Sequence, residues 1–187
     1  MYEVSDIRKN LKIQIDGEPY IVVDFQFVKP GKGNAFTRTR LKNMITGNVL
    51  DRTYKSGEKL EPAGLEEHPM QFLYTQEGVY HFMNTENYEQ IEMEESQLGD
   101  AKDYLIENLN VNVLVFNERP IAINLPNFVE LEVVETEPGF KGDTVSGGTK
   151  PAIMNTGAKI QVPIFVNSGD RLIVDTRTGQ YVERAKK

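Results

Sequence analysis

Turn-forming residues cut this 187-residue chain so often that little room is left for helices. Asp16-Gly17, Thr46-Gly47-Asn48, Gln76-Glu77-Gly78, Asn167-Ser168-Gly169-Asp170 and Thr178-Gly179 each supply residues that turn sharply or tolerate positive φ. The runs between them read as short strands: 12–15, 20–28, 35–44 and 49–55, then 71–75, 79–84, 88–93, 110–117 and 120–125, then 129–136 and 159–166. A Gly-rich loop is expected over 138–149, and 95–105 is the one helical candidate. Glu61-Pro62-Ala63-Gly64 and Leu125-Pro126-Asn127 punctuate the chain more heavily. The expectation is an all-β protein of three small domains, 1–63, 64–127 and 128–187. Units of about sixty residues and about five short strands suit small barrels of the SH3-like or OB type.

Charge separates these units more sharply than the net −7 suggests. Residues 1–62 carry 11 Lys/Arg against 8 Asp/Glu, residues 63–127 carry 2 against 12, and residues 128–187 carry 8 of each. Between Phe25 and Leu50 there are five cations and no acid, so one end is suited to meet phosphate while the acidic middle avoids it. The absence of cysteine excludes disulfides and thiol chemistry, and with only His68 and His81 a zinc site of the usual kind is not expected. No segment approaches about 18 consecutive apolar residues. The residues thus point to a soluble, cytoplasmic protein with no membrane segment and no cofactor.

One turn carries more chemical meaning than the rest. In Lys29-Pro30-Gly31-Lys32-Gly33-Asn34, between strand-like runs, Pro30 fixes its own φ and the two glycines can take positive φ. Lys32 is then offered at the end of a finger, close enough for a partner backbone to approach. A merely solvated turn lysine is the plain alternative. Strand alternation after the turn puts Phe36, Arg38, Arg40 and Lys42 on one face and Ala35, Thr37, Thr39 and Leu41 on the other. Such a face can follow an RNA backbone, or can simply be solvated.

The turn Lys29 to Phe36 resembles the tip loop of the bacterial elongation factor P family, in which the central lysine is modified. A second match is longer: Lys150-x-Ala152-x4-Gly157-x2-Ile160-x-Val162-Pro163-x-Phe165-Val166-x2-Gly169-x2-Leu172-x-Val174-Asp175-Thr176 resembles that family's C-terminal signature at every defined position. The resemblance runs from end to end. It implies an SH3-like (KOW-type) barrel followed by two OB-type barrels, in an L-shaped, tRNA-like arrangement. It also implies a monomeric translation factor, not an enzyme, that binds both ribosomal subunits beside peptidyl-tRNA and relieves stalling at consecutive prolines. In this reading Lys32, extended by a lysine-modifying enzyme, reaches the CCA end, with Arg38, Arg40 and Lys42 on rRNA. The Gly142-Asp143-Thr144 loop lies near the exit-site codon of the mRNA, and Tyr181 and Arg184 face the small subunit. Taken alone, the first of these is an ordinary turn, and the last two are a packed aromatic and a solvated cation.

Two rival classes remain to be weighed. A biotin or lipoate carrier also presents a hairpin-tip lysine, but it would use fewer than half of these residues and different neighbours. A generic OB-type RNA-binding protein would leave the Lys32 turn idle. Gly31-Lys32-Gly33 lacks the upstream glycine and the following Ser/Thr of a P-loop, so no nucleotide site is expected.

Overall fold

The computed structural model describes residues 1–138 and 148–186. It is built almost wholly of strands, in three sheets. No helix among the described residues is long and apolar enough to cross a membrane.

The first sheet contains β1 (Tyr2–Glu3), β2 (Lys12–Ile15), β3 (Glu18–Val28), β4 (Phe36–Asn43), β5 (Val49–Lys55) and β6 (Lys59–Pro62), in the order β1-β6-β2-β3-β4-β5. Its meander returns at β6, which pairs antiparallel with both β1 and β2. Ile7, Leu11, Ile13, Val22, Leu41, Tyr54 and Leu60 are buried together on its inner side. β1 and β6 were not expected as strands; Lys59–Pro62 is polar, and its pairing depends on partners some fifty residues away in sequence.

The second sheet contains β7 (Leu65–Gln76), β8 (Val79–Asn84), β9 (Gln90–Glu94), β10 (Asn110–Phe116) and β11 (Arg119–Asn124), in the order β11-β10-β7-β8-β9. Phe82 and Met93 are fully buried, and Phe72 meets Phe82 with ring centroids 5.5 Å apart. The single helix expected over 95–105 is corrected. A four-residue α1 (Glu95–Leu98) is followed by a 3-10 stretch, Gly99–Tyr104. Gly99 takes φ 56°, a conformation that ends an α-helix, and the apolar residues beyond it are too few to support another α turn.

The third sheet contains β12 (Phe128–Thr136), β13 (Thr149–Met154), β14 (Lys159–Pro163), β15 (Arg171–Asp175) and β16 (Gln180–Arg184), in the order β14-β13-β12-β15-β16. β13 went unread in the sequence because Pro151 argues against a strand with neighbours on both sides. Leu131, Val133, Val162, Val166, Leu172 and Val174 make a core with 0–1% exposure.

By contacts the chain falls into two compact units, Met1–Glu67 with Leu114–Ala122, and His68–Val113 with Ile123–Lys187. In the first, the hairpin residues Leu114, Phe116 and Ile121 bury against Met44, Ile45 and Leu65. In the second, Tyr104, Ile106 and Leu109 pack on the core of the third sheet, and the Thr156 hydroxyl donates to the Asp103 carbonyl at 2.6 Å.

Candidate nucleic-acid interface

The Lys32 turn stands at the end of a two-stranded finger. β3 and β4 pair from Tyr20–Asn43 out to Val28–Phe36, and residues 29–35 close the gap. Gly31, Lys32, Gly33 and Asn34 are exposed, Lys29 is exposed and Pro30 is half-buried. The Lys32 amine has no partner among the described residues. Gly33 adopts φ 102°, where an L side chain is strained; Gly31 does not take positive φ, and a Cβ added there meets nothing within 4 Å. Only one of the two glycines is therefore demanded by the fold of the turn.

The expected alternation along β4 holds. Thr37, Thr39, Leu41 and Asn43 are buried, while Arg38, Arg40 and Lys42 are exposed. The Arg38 guanidinium lies 5.4 Å from the Phe36 ring centroid on that same outer face. On the inner side the Thr39 hydroxyl donates to the Arg52 carbonyl at 2.7 Å, fixing β5 to β4.

A β-bulge changes the electrostatics of the outer face. Val22 faces Leu41, the next register pair is Asp24 with Arg40, and Val23 is the extra residue. After the bulge, Phe25 and Phe27 share the side of Thr39 and Thr37, and Asp24 and Gln26 share the side of Arg40 and Arg38. On the other flank, Arg40 faces Asp51 and donates to it from Nε at 3.1 Å. The acid-free stretch thus ends at Asp24 and Asp51, and the sheet returns both beside Arg40. Arg40 is ion-paired, whereas Arg38 and Lys42 make no ion pair among the described residues. Sequence alternation could not find this, because the bulge inverts the faces of β3 relative to a regular strand.

On the inner side near the tip, Phe27 is 61% exposed and Arg52 lies 5.2 Å from the Tyr54 ring centroid. Burial pushes the Tyr54 phenol above its ordinary pKa, with Arg52 opposing the shift.

At the far end of the chain, Gly142, Asp143 and Thr144 lie outside the described residues. Among the described residues on either side of them, the amine of buried Lys150 donates to the Glu137 carbonyl, and the Thr136 hydroxyl donates to the Pro151 carbonyl at 3.0 Å. Tyr181 packs half-buried on the core, opposite Val174. With Val182 as an extra residue in β16, Arg184 falls opposite Leu172 and is exposed. Its guanidinium lies 4.8 Å from the ring centroid of Phe165, a residue to which sequence reasoning assigned no site role. Nothing local in the sequence signals a pairing across nineteen residues.

Among the described residues there is no group of three or more His, Asp or Glu side chains placed to hold a metal ion. Comparison with known proteins identifies the family. The elongation factor P KOW-like domain model matches residues 3–60, the elongation factor P OB domain model residues 65–123, and the elongation factor P C-terminal model residues 129–184. Elongation factor P of Bdellovibrio bacteriovorus is 54% identical over the full length of both chains, and that of Syntrophus aciditrophicus 53% identical over the same extent. Among solved structures, eukaryotic translation initiation factor 5A from Methanococcus jannaschii aligns with a TM-score of 0.48 at 22% identity, covering 60% of this chain and 84% of that one, a likeness too distant to decide anything. The three models follow one another along most of the chain and leave no room for a carrier domain. The chain belongs to the elongation factor P family of translation factors.

Proposed function

We propose that this translation factor acts on the ribosome in the cytoplasm, as a monomer beside peptidyl-tRNA, and stimulates peptide bond formation where consecutive prolines stall it. Lys32, bare or extended by a lysine-modifying enzyme, holds the CCA end. Lys29, Pro30, Gly31, Gly33 and Asn34 shape the tip, and Arg38, Arg40 and Lys42 bind rRNA phosphate. Gly142, Asp143 and Thr144 meet the exit-site codon of the mRNA, and Tyr181 and Arg184 meet the small subunit.

The observation that supports this most is the exposed Lys32 amine, without a partner among the described residues, at the end of a long finger flanked by cations. The physical case rests on orientation. Proline's ring fixes φ and hinders its amine from reaching an attack geometry. A contact that holds the CCA end supplies part of the orientational entropy the reaction needs, while bond making stays with the ribosome.

Lys32→Ala tests the proposal. An exposed turn side chain contributes at most about 0.5 kcal/mol to stability, so the variant folds normally. Synthesis through a Pro-Pro-Pro reporter loses its stimulation, and raising the factor concentration does not restore it. Wild-type rescue by Lys32→Ala would remove Lys32 from the mechanism.

A further inference from the structure

The third sheet carries two exposed phenylalanines under arginines, and their arginines are engaged differently. Arg177 lies 5.4 Å from the Phe128 ring centroid. Its Nε and Nη2 donate to the two carboxylate oxygens of Asp175 at 3.1 and 3.0 Å, and its backbone N–H donates to Oδ1 at 2.8 Å. These Arg177 bonds hold the Asp175 carboxyl below the usual aspartate range. The Nε–Nη2 edge of the Arg177 guanidinium is engaged inside its own hairpin.

Arg184 differs in every one of these respects. It sits closer to its ring, at 4.8 Å from the Phe165 centroid, and among the described residues no carboxylate or carbonyl accepts from it. Phe165 lies in the turn after β14 and is 55% exposed, although the next residue, Val166, is fully buried in the core. The Val166 N–H donates to the Pro163 carbonyl at 3.1 Å. A large apolar ring is thus held in solvent by a turn that is bolted to the core through its neighbour. On the opposite side, the Ala185 N–H donates to the Arg171 carbonyl at 2.8 Å, so the backbone beneath Arg184 is fixed as well. Arg184 lines an open depression of about 490 Å³ together with Arg171 and Lys186, with Glu130 and Asp170 on its wall. Arg171 is paired with Glu130 at 3.3 Å, which leaves Arg184 and Lys186 as the cations available there.

We infer that Phe165 is a positioning residue for Arg184: its ring holds the guanidinium plane and leaves the in-plane N–H fork free for an RNA phosphate at this edge of the third sheet. A flexible arginine alone must be ordered on binding, and this costs side-chain entropy. Stacking removes part of that cost in advance without consuming a donor, because a ring face attracts the cation but accepts no in-plane hydrogen bond. The inference rests on the proposed role of Arg184 as an anchor on the ribosome.

The test titrates full-length variants against ribosomes stalled at a Pro-Pro pair, fitting half-saturation and maximal rate separately. Phe165→Leu keeps an apolar side chain but no ring. It should raise half-saturation about two- to fivefold, the range a surface cation–π contact supports, with maximal rate unchanged. Phe165→Trp should restore the wild-type value. Arg184→Gln should raise half-saturation further and flatten its salt dependence, whereas Phe165→Leu, which removes no charge, should leave the slope as it was. Placed on Arg184→Gln, Phe165→Leu should have no further effect, and Arg177→Gln should have none at all. Full additivity of the two changes would overturn the inference, since Phe165 would then act on its own. If Phe165→Leu matches wild type while Arg184→Gln weakens binding, the positioning role fails and the anchor stands. If Arg184→Gln itself changes nothing, or Arg177→Gln costs as much, the anchor fails and the inference with it.

Discussion

The Lys32 finger and the third sheet present their candidate cations in opposite ways. The finger extends two strands beyond its own core: Val22 and Leu41 are fully buried, and outward from them β3 exposes Asp24, Phe25, Gln26 and Phe27 in succession. Lys32 at its end touches no partner among the described residues. In the third sheet, Tyr181 rests on the core, Arg184 lies on a ring held from beneath by Val166, and Lys150 is buried. Mobility is tolerable in a group that must settle against a reacting centre supplied by the partner. An anchor gains affinity from being fixed beforehand.

The largest effect should come from the third sheet. Leu172 is fully buried in its core, and Leu172→Ala removes that packing and leaves a cavity. It should cost about 2–5 kcal/mol, read by chemical denaturation, against no more than about 0.5 kcal/mol for Lys32→Ala. A comparable loss at both positions would break the contrast, because it would mean that the tip is structurally supported after all.

The same contrast governs what could be read from the sequence. Strands whose residues alternate locally, such as 36–43 with its buried threonines and exposed arginines, were legible because period-2 patterning depends on nearest neighbours alone. The Lys32 turn was legible for a similar reason, since proline and glycine act on their own backbone. Features set by pairing between distant segments were not. β6 exists because β1 and β2 accept it, β13 runs through a proline, and the bulge at Val23 moves Asp24 to the cationic face. The Phe165–Arg184 pair belongs with these, as it forms only when β16 closes beside the turn after β14.

A middle-sized effect separates the two glycines of the tip. Gly33→Ala forces an L side chain to φ 102°, and destabilisation of about 1–2 kcal/mol is expected, or else a reshaped turn. Gly31→Ala meets no atom within 4 Å and should leave the melting temperature unchanged. A reporter assay then makes Gly31 informative. Loss of proline rescue by a normally stable Gly31→Ala would mean that a partner backbone approaches that α-carbon. Full rescue would mean that only Gly33 is needed, and for the finger's own conformation.

The smallest effect tests how far the cations of the finger act independently. Arg38 stacks on Phe36 and pairs with no acid among the described residues, whereas Arg40 lies between Asp24 and Asp51 and donates to the latter. Both side chains of that ion pair are well exposed, 60% for Arg40 and 72% for Asp51, so the pair contributes at most about 1 kcal/mol and a phosphate can compete for it. Competition has a cost, because the carboxylate left behind repels the incoming phosphate. Arg38→Gln should therefore lower the slope of log affinity against log salt by somewhat under one, as expected for one lost phosphate contact, and Arg40→Gln by less. Asp51→Asn sharpens the point, since it releases Arg40 and removes the nearby negative charge, and ribosome affinity at low salt should rise rather than fall. Equal slopes for the two arginine variants, together with an unaffected Asp51→Asn, would show that Asp51 does not temper Arg40 on the ribosome. The outer face of the finger would then act as one undivided basic strip, as the acid-free stretch of sequence suggests when the bulge is left out of account.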